Sequence, residues 1–415
     1  SKVANIPTDN IPPMLFYMSG ILAWNYFSSC LIETSNTFNA NAILFGKVYF
    51  PRIIVPLSRV ISGLAQFCVQ LMMFLGFYFF GVARMKIKIV RIKMLLMLGF
   101  AGLFMLVSTS MIEAASSQVS YRPQMPLGLD DEAFKIPKDN LMTKEKVELG
   151  RLLFFDKRLS ANNTIACASC HIPALAFTDG QPVSTGINNQ QGGRSAPTAI
   201  NRGFSTAQFW DGRAATLEDQ SIGPFANLIE HGFVSHDQLI AKINSIQGYK
   251  KLFSDIYGIN NLTKENVGRA IATFQRTLIS GNSPFDRFDY DGDQDAISES
   301  AKRGKKLFFD KARCNLCHMG TNFSDEKFHN IGIGWDESDT LDLGRYRVSK
   351  NEKDLGAFKT PTLREISITA PYMHDGRFAT LEEVIGHYNK GGVKNPFLDN
   401  QIIPLNLTKS EVKDL

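Results

Sequence analysis

One five-residue pattern occurs twice in the chain, as Cys167-Ala168-Ser169-Cys170-His171 and as Cys314-Asn315-Leu316-Cys317-His318. Thiols three residues apart lie on one face of a helical turn, where both can add to the vinyl groups of one haem. A lone C-x-x-C pattern also fits a redox dithiol or half of a zinc site, but the following histidine and the repetition favour haem. The sequence therefore predicts two covalent c-type haems with His171 and His318 as axial iron ligands.

The chain around these motifs is an internal repeat. The run LGRLLFFDK at 149–157 recurs as RGKKLFFDK at 303–311, upstream of each motif. Further along, the elements Pro-Thr, Asp-Gly-Arg and Ala-Thr-Leu-Glu of 197–218 recur 164 residues later. We therefore expect a mostly α-helical protein with two cytochrome c-like haem domains in tandem.

Coarse periodicity places helices and boundaries in this region. Apolar residues at three-and-four spacing predict helices over Lys144–Phe154, Asp237–Lys242 and Thr263–Leu278. Turn-forming residues between 282 and 293 predict an interdomain linker. We assign 118–290 to the first domain, with the first haem, and 291–415 to the second, with the second haem.

The first 117 residues belong to a different physical class. Met14–Ile32, Ile53–Val82 and Met94–Ile112 are long and apolar enough to cross a bilayer, with buried core helices as the alternative. Lys47–Leu71 resembles part of the permease subunit of ABC-type polysaccharide exporters. We interpret 1–83 as a permease-like hydrophobic fragment that supplies a membrane tether at most.

A second signal starts at Met85. A basic cluster, an apolar stretch and small residues at Ala114–Ser117 form the pattern of a secretory signal, so 84–117 is a signal peptide or a membrane anchor. By the positive-inside rule, the chain after Ile112 is delivered to the periplasm. We expect the functional protein to start near Ala115–Gln118.

The charge distribution argues against nucleic acid as a partner. Residues 1–118 hold 9 Lys and Arg against 3 Asp and Glu, so they account for the formal net charge of +5. The haem-bearing remainder is close to neutral, and nucleic-acid binding needs a basic face.

The sixth position on each iron decides between an electron carrier and an enzyme, because a catalytic haem leaves one face open. Tyr388 carries a phenol that can ligate ferric iron in the second domain, and its equivalent at the 164-residue offset is Pro224, which has no donor atom. His387 and Met373 are alternatives to Tyr388. The first haem is therefore expected to be open and the second closed.

These residues and the stretches 194–220, 272–288 and 360–383 resemble the bacterial diheme cytochrome c peroxidases, in particular their MauG-like branch, over about 127–415. The peroxidases typically carry a distal histidine where this chain has Ile187, and a methionine where it has Tyr388. Both departures point to an enzyme whose first haem is always accessible.

The resemblance also implies roles for individual residues. Glu230 matches the distal acid–base carboxylate, Gln220 the amide beside it, and Trp210 the indole between the haems. His374 takes the place of Trp210 in the second repeat, where we expect it to form hydrogen bonds near the haem and not to ligate iron. The family's interdomain calcium matches Ser195, Thr369 and Pro371, with serine replacing the usual asparagine.

The expected function is that of a periplasmic diheme oxidoreductase that reacts with hydrogen peroxide. One version is a cytochrome c peroxidase fed by a small redox protein, a cytochrome c or a cupredoxin. The other is a MauG-like enzyme that oxidises residues of a partner protein, which the tyrosine ligand favours. The alternative from another class is a non-catalytic diheme electron-transfer cytochrome.

Overall fold

The computed structural model describes residues 24, 26–28, 67–68, 70–76, 120–335 and 342–415. The three apolar spans and the signal sequence expected before residue 118 lie largely outside these residues. Among the described residues, no helix is long and apolar enough to cross a membrane. The chain divides into two compact units, Ser1–Ser116 and Ser117–Leu415. Both haem motifs fall in the second unit, so the domain boundary near 290 stays a prediction.

The first repeat is a helical layer built around two long helices. Its helices from residue 120 onward are α1 Lys144–Phe155, α2 Cys167–Cys170, α3 Leu217–Ile222, α4 His236–Ser245, α5 Gln247–Tyr257 and α6 Lys264–Gln275. Three of them confirm the helices predicted from apolar spacing. The core between them is fully buried and includes Leu153, Phe225, Leu239, Phe253 and Ile271.

The second repeat has fewer helices and more loops. Its elements are α8 Glu299–Phe309, β1 Phe328–His329, α9 Tyr346–Ser349, β2 Phe358–Lys359, α10 Leu381–Asn389 and α11 Lys409–Asp414, and α7 Pro284–Tyr290 precedes them. The two strands pair antiparallel, with Phe328 opposite Lys359. The predicted linker therefore contains a helix, because the Ser283 side chain caps it and Pro284 stands in its first turn.

A glycine in the repeated LGRLLFFDK element explains part of its recurrence. A Cβ on Gly150 in α1 would lie 1.9 Å from the carbonyl oxygen of Ala270 in α6. A Cβ on the equivalent Gly304 in α8 would lie 2.0 Å from the carbonyl oxygen of Asp414 in α11. In both repeats the helix upstream of the haem motif can approach its partner only because this position lacks a side chain.

The repeats exchange backbone hydrogen bonds at equivalent positions. The Ser195 N–H donates to the His374 carbonyl at 2.7 Å, and the Lys359 N–H donates to the Trp210 carbonyl at 2.8 Å. At the 164-residue offset, Ser195 corresponds to Lys359 and Trp210 to His374. The two bonds are therefore related by pseudo-twofold symmetry, and each repeat satisfies a backbone group of the other.

A buried ion pair ties α7 to the second repeat. Arg364 and Asp286 have side chains 4% and 0% exposed and form an ion pair. The Arg364 guanidinium also donates to the carbonyls of Gly128 at 2.8 Å and Thr321 at 2.6 Å. These partners come from three separate parts of the chain, so one side chain connects them.

We expect Arg364→Met to lower the free energy of unfolding by about 3–5 kcal/mol, because it leaves the Asp286 carboxylate buried without its cation. Denaturant unfolding of the haem-loaded protein measures this. The matched control is Arg303→Met, since Arg303 pairs with Asp414 while its side chain is 60% exposed, and exposed pairs add little stability. Equal unfolding midpoints for the two variants would contradict the assignment.

Candidate haem and peroxide site

The two predicted axial histidines are held in the same way. Nδ1 of His171 donates to the Phe177 carbonyl at 2.9 Å, and Nδ1 of His318 donates to the Phe323 carbonyl at 3.0 Å. A bond of this kind sets the tautomer and leaves Nε2 with the lone pair that a metal needs. Burial lowers the pKa of both imidazoles, which favours the neutral, ligating form.

The motif cysteines are arranged for attachment to a haem. Cys167 and Cys170 bound the single helical turn α2, and Cys314 opens a 3₁₀ turn that ends one residue before Cys317. None of the four forms a disulfide. Burial raises the pKa of Cys167 to about 12 and that of Cys314 to about 11. The donor set, with Nε2 of each histidine left available, fits two c-type haems.

A cavity of about 1130 Å³ lies beside the first motif and is lined by both repeats. It gathers most of the site residues predicted for the first haem and the interdomain region: His171, Ser195, Trp210, Gln220, Glu230 and His374. Pro224, the counterpart of Tyr388, also lines it. The family-derived positions are therefore close together in space.

Glu230 is a half-buried carboxyl at the edge of this cavity. Asn227 Nδ2 donates to its Oε1 at 2.6 Å. Burial raises the pKa of Glu230, while the cation of Arg213 and the Asn227 amide oppose that rise. A carboxyl with a raised pKa can exchange a proton near neutral pH more readily than an ordinary glutamate.

Ile187, where the peroxidases carry a histidine, belongs to a loop fastened to the Glu230 segment. Its backbone N–H donates to the carbonyls of Ile229 at 2.8 Å and Glu230 at 3.1 Å. Its side chain is buried and contacts the backbone position of Gly232. The loop after the first haem motif is thus held by main-chain bonds and apolar packing.

The remaining predicted residues around the cavity have defined partners. Trp210 Nε1 donates to the Ser195 carbonyl at 2.9 Å, which ties the indole to the first repeat. Gln220 accepts a hydrogen bond from Gln275 at 3.3 Å. The His374 ring stacks on Phe358 with centroids 3.6 Å apart. The hydrogen-bonding role expected for His374 stays a prediction.

Tyr388 lies in α10 and is near the second motif. Burial raises the pKa of its phenol, and the thiols of Cys317 and Cys314 act in the same direction. His387, one alternative ligand, uses Nε2 to donate to the Ile331 carbonyl at 2.8 Å. The other alternative, Met373, has a backbone φ of +73°, like its first-repeat counterpart Phe209. Tyr388 as the ligand of the second iron, with His387 and Met373 as alternatives, stays a prediction.

Two cations, the half-buried Arg202 and the buried Lys359, also line this cavity. The pKa of Lys359 falls to about 8, because of burial first and of the nearby Arg202 cation second. Lys359 Nζ donates to Glu326 Oε1 at 3.1 Å, and Glu326 also accepts from Ser205 at 3.1 Å. Burial would raise the pKa of Glu326, but the cations of Lys359 and Arg202 lower it.

The residues proposed to bind calcium are Ser195, Thr369 and Pro371. Ser195 contacts His374 through its backbone, and Pro371 lies three residues before His374 behind a cis peptide bond. Thr369 follows a 3₁₀ turn at Ile366–Ile368. Ser195 therefore lies at the contact between the repeats. Calcium bound by the three residues stays a prediction.

Sequence reasoning did not identify several polar residues that line the cavity, among them Asn227, Arg213, Arg202 and Lys359. Asn227 stands three residues before Glu230, a spacing that allows its side chain to reach the carboxyl within one turn. Arg213 belongs to the repeated Asp-Gly-Arg element, which offered a signal. Arg202 and Lys359 have no comparable local signal, because their roles depend on burial between the repeats.

Comparison with known proteins gives a consistent picture. The model of the di-haem cytochrome c peroxidase family matches residues 144–295. Methylamine utilization protein MauG of Methylophilus methylotrophus is 37% identical over 320 residues, covering 76% of this chain and 93% of its own. Cytochrome c551 peroxidase of Nitrosomonas europaea is 38% identical over 242 residues, covering 58% and 72%. A solved MauG-like protein associated with microbial copper homeostasis superposes with a TM-score of 0.65 at 31% identity, over 71% of this chain and 93% of its own.

We expect the double variant Cys167→Ala, Cys170→Ala to lose one covalent haem and keep the other, because each motif attaches its own group. Intact mass under denaturing conditions should fall by one haem mass relative to the unmodified protein. The control is Lys250→Ala, at an exposed position of α5 outside both motifs, which should leave two haems. Retention of both haems by the double variant would rule out thioether attachment at the first motif.

Proposed function

Since the chain belongs to the MauG-like di-haem cytochrome c peroxidase family and is thus a di-haem peroxidase, we propose that hydrogen peroxide is reduced at the first motif, beside His171. Two c-type haems, one on each motif, supply the iron chemistry when bound. The single observation that carries this assignment is that Glu230 and His171 line one cavity. The second motif, with His318 and Tyr388, serves electron transfer.

Glu230 acts as the acid–base group. Oε1 is engaged by Asn227, so Oε2 is the oxygen that exchanges a proton with the substrate. The carboxylate takes the proton from one peroxide oxygen and returns it to the other, which assists cleavage of the O–O bond and release of water. Because burial raises the pKa of Glu230, its carboxylate takes up a proton more readily than that of an exposed glutamate.

The first site is open in the oxidised protein. Pro224, the counterpart of Tyr388 in the first repeat, lines the cavity but has no donor atom, and the loop that carries Ile187 is held by two backbone bonds to the Glu230 segment. No histidine lies between His171 and His231 to close the site. Peroxide can therefore reach the site without prior reduction of the second haem.

The second site delivers or shares oxidising equivalents. Tyr388 and His318 would hold the second haem iron, and an anionic oxygen donor would favour its ferric state and lower its reduction potential. Trp210 stands at the contact between the repeats through its carbonyl bond to Lys359, which suits it as a stepping stone for electrons. His374 packs at the equivalent position of the other repeat.

We place the protein in the periplasm, with a calcium ion held by Ser195, Thr369 and Pro371. The partner is a protein whose residues are oxidised, as the tyrosine ligand favours. A small redox protein, a cytochrome c or a cupredoxin, is the second candidate, and the likeness to a cytochrome c551 peroxidase supports it. The two differ in whether a reduced cytochrome is consumed together with peroxide.

Glu230→Gln should keep both haems and slow peroxide consumption by about 10²–10⁴-fold, the usual range for lost acid–base catalysis. The protein is mixed with peroxide in its fully oxidised form, and consumption is followed by stopped-flow absorbance. Glu299→Gln, at the exposed first turn of α8, is the control and should react like the unmodified protein. Unchanged rates in Glu230→Gln, or activity that needs prior reduction, would contradict the proposal.

Tyr388→Met should raise the reduction potential of the second haem, because a neutral thioether favours the ferric state less than a phenolate does. Spectroelectrochemical titration of both haems measures this. Tyr257→Phe is the control, since Tyr257 belongs to α5 of the first repeat. An unchanged spectrum and potential in Tyr388→Met would exclude Tyr388 as the ligand.

A further inference from the structure

A second, smaller cavity adjoins the haem cavity. It has a volume of about 400 Å³. Five residues line both cavities: Phe209, Arg213, Pro224, Asn227 and Glu230. The two spaces therefore meet along a shared wall, and the carboxyl assigned to proton transfer belongs to that wall.

The smaller cavity connects this wall to solvent. Ala215, Asp219 and Gly223 line it and are exposed on the protein surface. Pro224, Asn227 and Glu230 are half-buried at its inner side. A molecule in this space can therefore move from bulk water to Glu230 without passing through the larger cavity.

The wall between the two cavities is held in place by charge and aromatic contacts. The Arg213 guanidinium lies 3.6 Å from the Phe209 ring centroid and pairs with Asp211 at 3.2 Å. The same cation lowers the pKa of Glu230 against the effect of burial. Asn227 fixes the carboxyl from the other side at 2.6 Å. Glu230 is thus oriented at the junction by two residues of the smaller cavity.

The larger cavity does not offer an equivalent path when the protein is loaded. Cys170 and His171 line it, so a haem attached there occupies it. The smaller cavity has no motif residue in its lining and stays available. Its side chains include a cation, an amide and two carboxyl groups, which suit small hydrated polar molecules.

We propose that the smaller cavity is the path by which hydrogen peroxide and protons pass between solvent and Glu230, with Arg213 and Asn227 as positioning residues for the carboxyl. This inference rests on the proposed function of the first site. It adds the route of the substrate and the residues that line that route.

Gly223→Leu tests the path directly. Gly223 has helical backbone angles, and a Cβ added there meets only the tip of Phe209 at 3.8 Å, an ordinary contact. A leucine can therefore be accommodated while its side chain narrows the smaller cavity. The matched control is Gly248→Leu, because Gly248 in α5 has no atom within 4 Å of an added Cβ and lines neither cavity.

The probe is cyanide, whose association with the first haem of the loaded, oxidised protein is followed by stopped-flow absorbance. Gly223→Leu should slow association and dissociation together by about tenfold, a barrier higher by about 1.4 kcal/mol, with the cyanide dissociation constant unchanged. Peroxide consumption should slow by a similar factor at low peroxide. Gly248→Leu should match the unmodified protein in both assays.

A second blocking variant guards against a local folding defect at Gly223. Ala215→Leu stands on the exposed rim of the cavity and should also slow cyanide association, with two haems retained by intact mass. Unchanged association rates in both blocking variants would overturn the path. A failure of the proposed function would look different, because peroxide would then not react at the first haem while cyanide association still slowed in Gly223→Leu.

Discussion

The pair of backbone hydrogen bonds exchanged between the repeats, Ser195 to His374 and Lys359 to Trp210, is the constraint on which the rest of the site depends. Each bond joins equivalent positions of a duplicated sequence, so the repeats meet in one register. That register brings His171 of one repeat and His374 of the other to a single cavity. Trp210 is held at this boundary by two bonds. Its carbonyl accepts from the Lys359 N–H of the second repeat, and its indole N–H donates to the Ser195 carbonyl of its own repeat.

Charged side chains of both signs line the cavity between the repeats. Arg202 and Lys359 place positive charge beside Glu326, which accepts a hydrogen bond from Lys359 Nζ at 3.1 Å. The carboxyl groups of Asp211, Asp342 and Glu230 line the same cavity, and burial raises the pKa of Glu230 while Arg213 lowers it. In a low-dielectric interior such groups influence each other strongly. The duplicated backbone is therefore nearly symmetric, while the charges placed on it are not.

The sequence predicts a large part of the fold and the centre of the site. The two attachment motifs, the repeat at 164 residues and the helices at 144, 237 and 263 follow from spacing alone, and local periodicity is what spacing reports. Positions taken from the family resemblance, such as Glu230 and Trp210, line the expected cavity. The carbonyls of Phe177 and Phe323 orient the histidines. They belong to the similar stretches Phe-Thr-Asp at 177–179 and Phe-Ser-Asp at 323–325, whose role the sequence alone does not indicate. The places of Arg202 and Lys359 in the cavity could not be predicted, because residues of both repeats form its lining. The expectations for residues before 118 concern mostly residues outside the described part of the chain.

The exchanged bonds have an evolutionary consequence. If one repeat were inherited alone, the Trp210 carbonyl and the Ser195 N–H would lose their partners at a surface made for contact. Water would then take the place of these partners, and the loss of each bond would lower the free energy of unfolding by about 0.5–1.5 kcal/mol, which marginally stable proteins seldom tolerate several times. After the duplication, natural selection could change individual side chains, as at Pro224 and Tyr388, far more freely than it could separate the halves. Each half can therefore change its own side chains, while the exchanged backbone bonds require the two halves to be inherited together.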